Sequence, residues 1–182
     1  MASRTDSELI HDFKKGEVSA FNELVRRYQQ KVYWIARRLL GSHEDADDAV
    51  QDVFIKVHES LRGFGAESSF FTWLYRIAVN VSLNALRKRR VLSLFGSEEV
   101  PEVAADDDPV ERISRDEYSA ALQKAISRLP AKQKAVFVLR YYDEMPYAEI
   151  SKILRTSVGG LKANYFHALK KLKTAVKKDL EE

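Results

Sequence analysis

Residues 146–173 read PYAEISKILRTSVGGLKANYFHALKKLK, and their spacing decides the fold of the C-terminal third. Pro146 suits the first turn of a helix, where its missing N–H is no loss. Ala148, Ile150, Ile153 and Leu154 supply that helix with a buried face. Thr156-Ser157 then offers an N-cap, and a longer helix runs from Val158 into the lysines. A short helix, a turn of three or four residues and a longer cationic helix make the helix-turn-helix pattern. In that pattern Gly159, Gly160, Lys162, Ala163, Asn164 and His167 face base edges, flanked by Arg155 and Ser157 at the turn and by Lys170 and Lys171 beyond. Asn can pair with adenine through two hydrogen bonds, while Lys reaches guanine or phosphate. Two consecutive glycines weaken a helix start, a cost that makes sense where backbone must approach a phosphate closely. On pattern alone, a helical hairpin with a solvated lysine face fits these residues equally well.

The same period runs through the rest of the chain. Thr5 with Glu8 forms a capping box, and Gly16 suits the residue after a first short helix. Phe21, Leu24, Val25, Tyr28, Val32, Ile35, Ala36 and Leu39 trace one face of a second helix, ended by Gly41. Ser42 with Asp45 starts a third, with Ala46, Ala49, Val50, Val53, Phe54, Val57 and Leu61 inward. Arg62 to Ser69 reads as a loop, and a fourth helix is expected from about Phe70 to Arg90. Leu92 to Asp108 has no period and ends in Asp-Asp-Asp-Pro. Beyond it, one helix from about Ser114 stops at Pro130, and another spans Lys132 to Tyr142. The expected fold is therefore all-α: a four-helix N-terminal module (1–91), a flexible acidic linker (92–112) and a helix-turn-helix module (113–182).

Composition narrows the function. The 182 residues contain no Cys, which excludes disulfides, thiolate metal sites and a Cys nucleophile. No apolar run is long enough to cross a membrane, and MASRTDSELIHDF lacks an apolar signal core, so the expectation is a cytoplasmic protein without direct membrane insertion. Net charge is only +3, but its distribution is uneven. Glu98 to Glu117 holds nine acids against Arg112 and Arg115. Arg155 to Lys178 holds seven bases and no acid, and Arg87-Lys88-Arg89-Arg90 forms a second basic cluster. Two basic patches either side of an acidic stretch suit two contacts with a polyanion. For any one cluster, lysines placed to complement a helix dipole explain the charge equally well.

The segments DADDAVQDVFIKVHESL (45–61) and FGAESSFFTWLYRIAVNVSLNALRKRR (64–90) closely resemble the second conserved region of extracytoplasmic-function sigma factors. LPAKQKAVFVLRYYDEMPYAEISKILRTSVGGLKANYFHALKKLK (129–173) resembles their fourth region, and FNELVRRYQQKVYWIARRLLG (21–41) extends the likeness upstream. The TWLYRIAVN string at 72–80 is its most specific part. The resemblance implies a non-enzymatic subunit that binds core RNA polymerase and directs promoter-specific initiation, with no cofactor and no metal. It also implies control by an anti-sigma factor, which could hold the chain at the inner face of the membrane, and a stress or envelope-response regulon.

Residue roles follow from the same resemblance. Asp48, Gln51 and Asp52, at i, i+3 and i+4, share an exposed face that the family docks on the basic coiled coil of the polymerase's largest subunit. Phe64, Ser68, Ser69 and Phe70 match the loop that captures unpaired bases of the minus-ten element. Asn80 is placed to bond a base edge, and Arg76, Asn84, Arg87 and Lys88 to follow phosphates. Phe71, Trp73 and Leu74 are expected in the core. The recognition helix departs from its relatives, which usually show Gly-Thr-Val-Lys-Ser-Arg and a later Arg where this chain has Gly159 to Asn164 and His167; that implies an altered minus-thirty-five preference. Two other classes fit the residues less well. A dimeric helix-turn-helix repressor would need a symmetric interface, and the chain has no heptad seam. A metal-dependent enzyme would draw on His43-Glu44 or His58-Glu59, which lack any ligand spacing.

Overall fold

The computed structural model describes residues 4–65, 67–94 and 114–181, and their regular elements are all helical. The N-terminal module is built from α1 (Asp6–Lys14), α2 (Val18–Leu40), α3 (His43–Ser60) and α4 (Phe70–Leu94), with a single 3-10 turn at Leu61–Gly63. Each boundary has a local cause. The Thr5 hydroxyl accepts from the Glu8 N–H at 3.3 Å while the Thr5 N–H donates to the Glu8 carboxylate at 2.7 Å, closing the expected capping box. Gly41 ends α2 at φ +84°, a left-handed conformation that costs a side-chain-free residue little. The Ser42 hydroxyl caps α3 through the Asp45 N–H, and Ser69 caps α4 through the Thr72 N–H.

The apolar stripes of these helices close on one core, in which Leu9, Leu24, Val32, Val53, Leu61, Leu74 and Ala78 are fully enclosed. Its aromatic end joins Tyr28 and Phe70, edge to face at 5.3 Å. Tyr28 also donates a short hydrogen bond to Asp6, itself paired with Arg27, which fastens α1 to α2.

In the C-terminal module, α5 (Ser114–Ser127) lies along α8 (Val158–Glu181), with Ala121, Ala125, Ile126, Phe137, Ala168, Leu172 and Val176 between them. The helix expected over 132–142 is really two pieces. α6 (Ala131–Phe137) passes into a wider π turn at Val138–Tyr142, where the Asp143 N–H reaches back to the Val138 carbonyl. α7 (Tyr147–Leu154) and α8 form the expected helix-turn-helix, with Arg155 in the turn between them at φ +51°. A side chain there costs about 1–2 kcal/mol.

The modules do not lie apart. Ile35, Leu39, Tyr75, Val79 and Leu83, from α2 and α4, share a second core with Ala135, Val136, Val138, Leu139, Met145, Ile150, Ile153 and Leu161. The segment expected as linker begins inside α4, which runs to Leu94; the rest of it, 95–112, lies outside the described residues.

Candidate polymerase and promoter interfaces

On α3, the inward residues Ala46, Ala49, Val53, Phe54 and Val57 leave Asp48, Gln51 and Asp52 exposed together on the opposite side. Ile55 stands among them, 56% exposed, and sequence reasoning passed over it. Its signal was legible, because Ile55 is out of phase with the buried residues of its own helix. Asp45, by contrast, pairs with Arg89 of α4 and so ties two helices together. The acidic face is thus an anionic strip with one exposed apolar residue at its C-terminal end.

The loop before α4 is shaped by aromatic packing. Phe64 is half-buried against Trp73, with ring centroids 4.9 Å apart, and its carbonyl accepts from Lys14 at 2.7 Å. Ser69 is exposed but committed to capping α4. Phe70 corrects the expectation. Placed in a base-stacking pocket from sequence, it is only 4% exposed and belongs to the core, so its ring faces Tyr28 and cannot meet a base. Trp73, expected in the core, does pack against it beside Phe64 and Phe70, but is only half-buried.

Seven-residue steps explain this. Trp73, Asn80 and Arg87 stack along nearly one line of α4, since seven residues make almost two turns. Asn84 and Lys88 flank that line, and all of these polar residues are exposed. Arg87 donates to the Asn84 side-chain oxygen at 2.9 Å, which fixes both side chains along the helix. Arg76 falls on the same side but is not available: its guanidinium donates to the Lys152 carbonyl of α7 at 2.9 Å. The expected phosphate contact at Arg76 is therefore replaced, in this conformation, by a contact between modules.

On the helix-turn-helix, Ser157 caps α8 through the Gly160 N–H at 3.2 Å, as its position suggested. The glycine pair has a different reason from the expected one at Gly160. A Cβ there would lie 3.2 Å from Thr156 Cγ2 and 3.3 Å from Ser157 Oγ, so the capping turn itself crowds it; Gly159 faces open space. Asn164 departs further from expectation. It is half-buried, and its amide donates to the Gly160 carbonyl at 2.9 Å along its own helix. Opposite the buried residues Leu161, Ala168, Leu172 and Val176, the outward face carries Gly159, Lys162, Ala163, Phe166, His167 and Lys170, all exposed; Lys171 is also exposed, nearer the edge. Phe166 is 63% exposed, and like Ile55 it was detectable as a large apolar residue off its helix's buried period.

The two histidine–glutamate pairs sit elsewhere. His58 packs edge-on against Phe13 and Phe21, and His43 stacks on Tyr33. Among the described residues no cluster of His, Asp and Glu is arranged to hold a metal ion, and no helix is long and apolar enough to cross a membrane.

A four-helix module with an exposed acidic strip and an exposed polar line is packed against a cationic helix-turn-helix module. Residues 24–91 match the model for sigma-70 region 2, and residues 119–172 match that for sigma-70 region 4. The chain is 34% identical over 162 residues to the ECF RNA polymerase sigma factor SigW of Bacillus subtilis, covering 84% of this chain and 87% of that one. It is also 34% identical to the ECF RNA polymerase sigma-E factor of Escherichia coli K12, over 90% of each. The solved structure of CnrH in complex with the cytosolic domain of CnrY superposes with a TM-score of 0.70 at 25% identity, covering 96% of this chain and 98% of CnrH. The chain belongs to the extracytoplasmic-function branch of the sigma-70 family: it is an RNA polymerase sigma factor.

Proposed function

We propose that this sigma factor divides promoter-specific initiation among its three surfaces. The acidic strip of Asp48, Gln51 and Asp52, with Ile55 at its C-terminal end, binds core polymerase. The α4 line of Trp73, Asn80, Asn84, Arg87 and Lys88, with Phe64 and Ser68 at its head, holds the unpaired strand of the minus-ten element. The helix-turn-helix reads the duplex minus-thirty-five element. The observation that carries the reading is the α4 line itself, where two amides and two cations are exposed together, with the half-buried Trp73 ring at their head, on a helix whose inner side is core. Stacking holds an unpaired base, amides read its edge and cations follow the backbone.

The chain acts as an initiation subunit with no catalysis of its own, works in the cytoplasm and serves a stress or envelope-response regulon. An anti-sigma protein controls it, a reading supported by the likeness to CnrH, solved in complex with the cytosolic domain of CnrY. The test is Asn80→Ala in the reconstituted holoenzyme. Permanganate footprinting should show promoter opening reduced about tenfold on duplex templates, with closed-complex binding nearly unchanged. Undiminished opening would remove Asn80 from the site.

A further inference from the structure

We propose that α1 positions the base-capturing loop: the Lys14 ammonium, bonded to the Phe64 carbonyl, holds the Phe64 ring where it meets an unpaired base of the minus-ten element. This rests on the reading of the Phe64 loop and the α4 line as the minus-ten surface. Lys14 is then a positioning residue, acting through Phe64 without touching DNA. The helix that carries it lies upstream of the region 2 match, which begins at residue 24.

The backbone of Phe64 has few anchors of its own. It follows directly on the 3-10 turn Leu61–Gly63, where its N–H donates to the Leu61 carbonyl at 3.1 Å. Its neighbours are Gly63 and Gly65, at which a Cβ would meet open space, so neither packs the loop in place. The ring rests on Trp73 at 4.9 Å and on Phe70 at 6.1 Å. Those rings, like the Leu61 carbonyl, belong to the loop or to the helix that follows it. Lys14 reaches the same residue from 50 positions earlier, and so fixes the loop against the body of the module.

The ammonium can do this because its own backbone is fixed. Phe13, next to it, is 4% exposed and packs against Phe21 at 5.4 Å and His58 at 5.3 Å. Gly16 then takes φ +103°, and the Glu17 N–H closes on the Asp12 carbonyl at 3.0 Å. A cation in the last turn of a helix also offsets the helix dipole, which alone would account for a lysine there. It would not account for the direction, since the ammonium leaves α1 and donates across to Phe64 at 2.7 Å. A second route starts from the other end of the helix. Asp6 accepts from the Tyr28 hydroxyl, and the Tyr28 ring meets Phe70 edge to face at 5.3 Å. Phe70 in turn supports the Phe64 and Trp73 rings. A loop held before its base arrives loses less freedom on capturing it, so the contact adds affinity for the unpaired strand.

The test uses holoenzyme reconstituted from the full chain, on a promoter whose minus-ten element is already unpaired, so that base capture is measured apart from melting. Lys14→Met should bind this template about fivefold more weakly, the loss expected for one exposed charge-assisted hydrogen bond. Its melting temperature and its binding to core polymerase should stay at wild type. Lys14→Arg, which keeps a donor of similar reach, should restore the affinity. In a Phe64→Ala chain, Lys14→Met should cost nothing further, because the ring it positions is gone. Trp34→Phe leaves Trp73 as the sole tryptophan. In that chain Lys14→Met should move Trp73 emission to longer wavelength as Phe64 leaves its ring. Undiminished affinity, or an unchanged emission, would overturn the proposal. So would a fivefold loss that persists beside Phe64→Ala, the mark of a direct phosphate contact, or a loss matched by a clear fall in melting temperature, the mark of a general stabiliser. A Phe64→Ala chain that binds the unpaired template as tightly as wild type would instead remove the loop from the minus-ten surface, and the positioning role with it.

Discussion

At the scale of single residues, the recognition helix shows how a side chain's reach depends on what it is already bonded to. Asn164 has the chemistry to discriminate adenine, but its amide is held by the Gly160 carbonyl and its side is half-buried. Phe166 has no polar group, yet it projects from the outward face, where an aromatic edge can contact a thymine methyl group. Asn164→Ala should therefore leave sequence preference across the minus-thirty-five element unchanged and lower stability by no more than about 1 kcal/mol. Phe166→Ala should leave the melting temperature unchanged and weaken one or two positions of the element by ~1 kcal/mol each. Transcription from a library randomised over that element, measured for each variant, checks both. A changed preference in the Asn164 variant would show that its amide swings out on binding.

Among the elements, α3 and α4 each carry two jobs on two sides. The inner side of α3 is core, so its acidic strip sits on a helix that does not depend on it for stability. Reversing both Asp48 and Asp52 to Lys should abolish binding to core polymerase while helicity and melting temperature stay nearly constant, since exposed surface changes usually fall within about 0.5 kcal/mol. Co-purification with core polymerase, beside a thermal melt, is the measurement. Retained binding would remove the strip from the interface. α4 is busier, with three sides in use: one toward the core, one toward the second module and one toward solvent. Phe70 belongs to the first and Tyr75 to the second, while Asn80 and Arg87 stand on the third.

In the whole molecule, the packing of one module on the other buries a lysine, and this makes it pH-dependent. Burial at the interface, reinforced by the nearby Arg89 cation, brings the Lys134 ammonium down to about 8. In the open chain, with water around it, the same group would titrate near its ordinary 10.5. Closing thus releases a proton between those values, so rising pH favours the closed form from about 8 upward; below 8 the group is charged in both states and contributes no slope. Tyr75 opposes this further up, because burial, followed by the Asp143 charge, pushes its hydroxyl above the ordinary tyrosine range. In an Arg38→Glu chain, whose modules are partly apart for want of the Arg38–Asp143 pair, labels on Glu59→Cys and Lys173→Cys should therefore draw closer between pH 8 and about 10. Lys134→Met added to that chain should abolish the slope. A separation constant across this window in the Arg38→Glu chain would show that Lys134 stays hydrated.

The sequence by itself determined most of the helices, the caps of α1 and α3, the helix-turn-helix and the acidic strip of α3, but not the π turn at Val138–Tyr142. Each of the former rests on interactions within a turn or two: i, i+3 and i+4 neighbours, or a hydroxyl bonded three residues along. Even the partial exposure of Trp73 was implicit in its seven-residue step to Asn80, though the size of the ring argued for full burial. Only tertiary structure decided which stripe of α4 meets which neighbour, that Phe70 is enclosed, that Arg76 is spent on α7 and that the modules close on one another. Those outcomes depend on contacts between residues as far apart as Leu39 and Lys134. A local period records that Tyr75, Val79 and Leu83 need cover, but not what covers them, since any apolar surface of matching shape satisfies the same need.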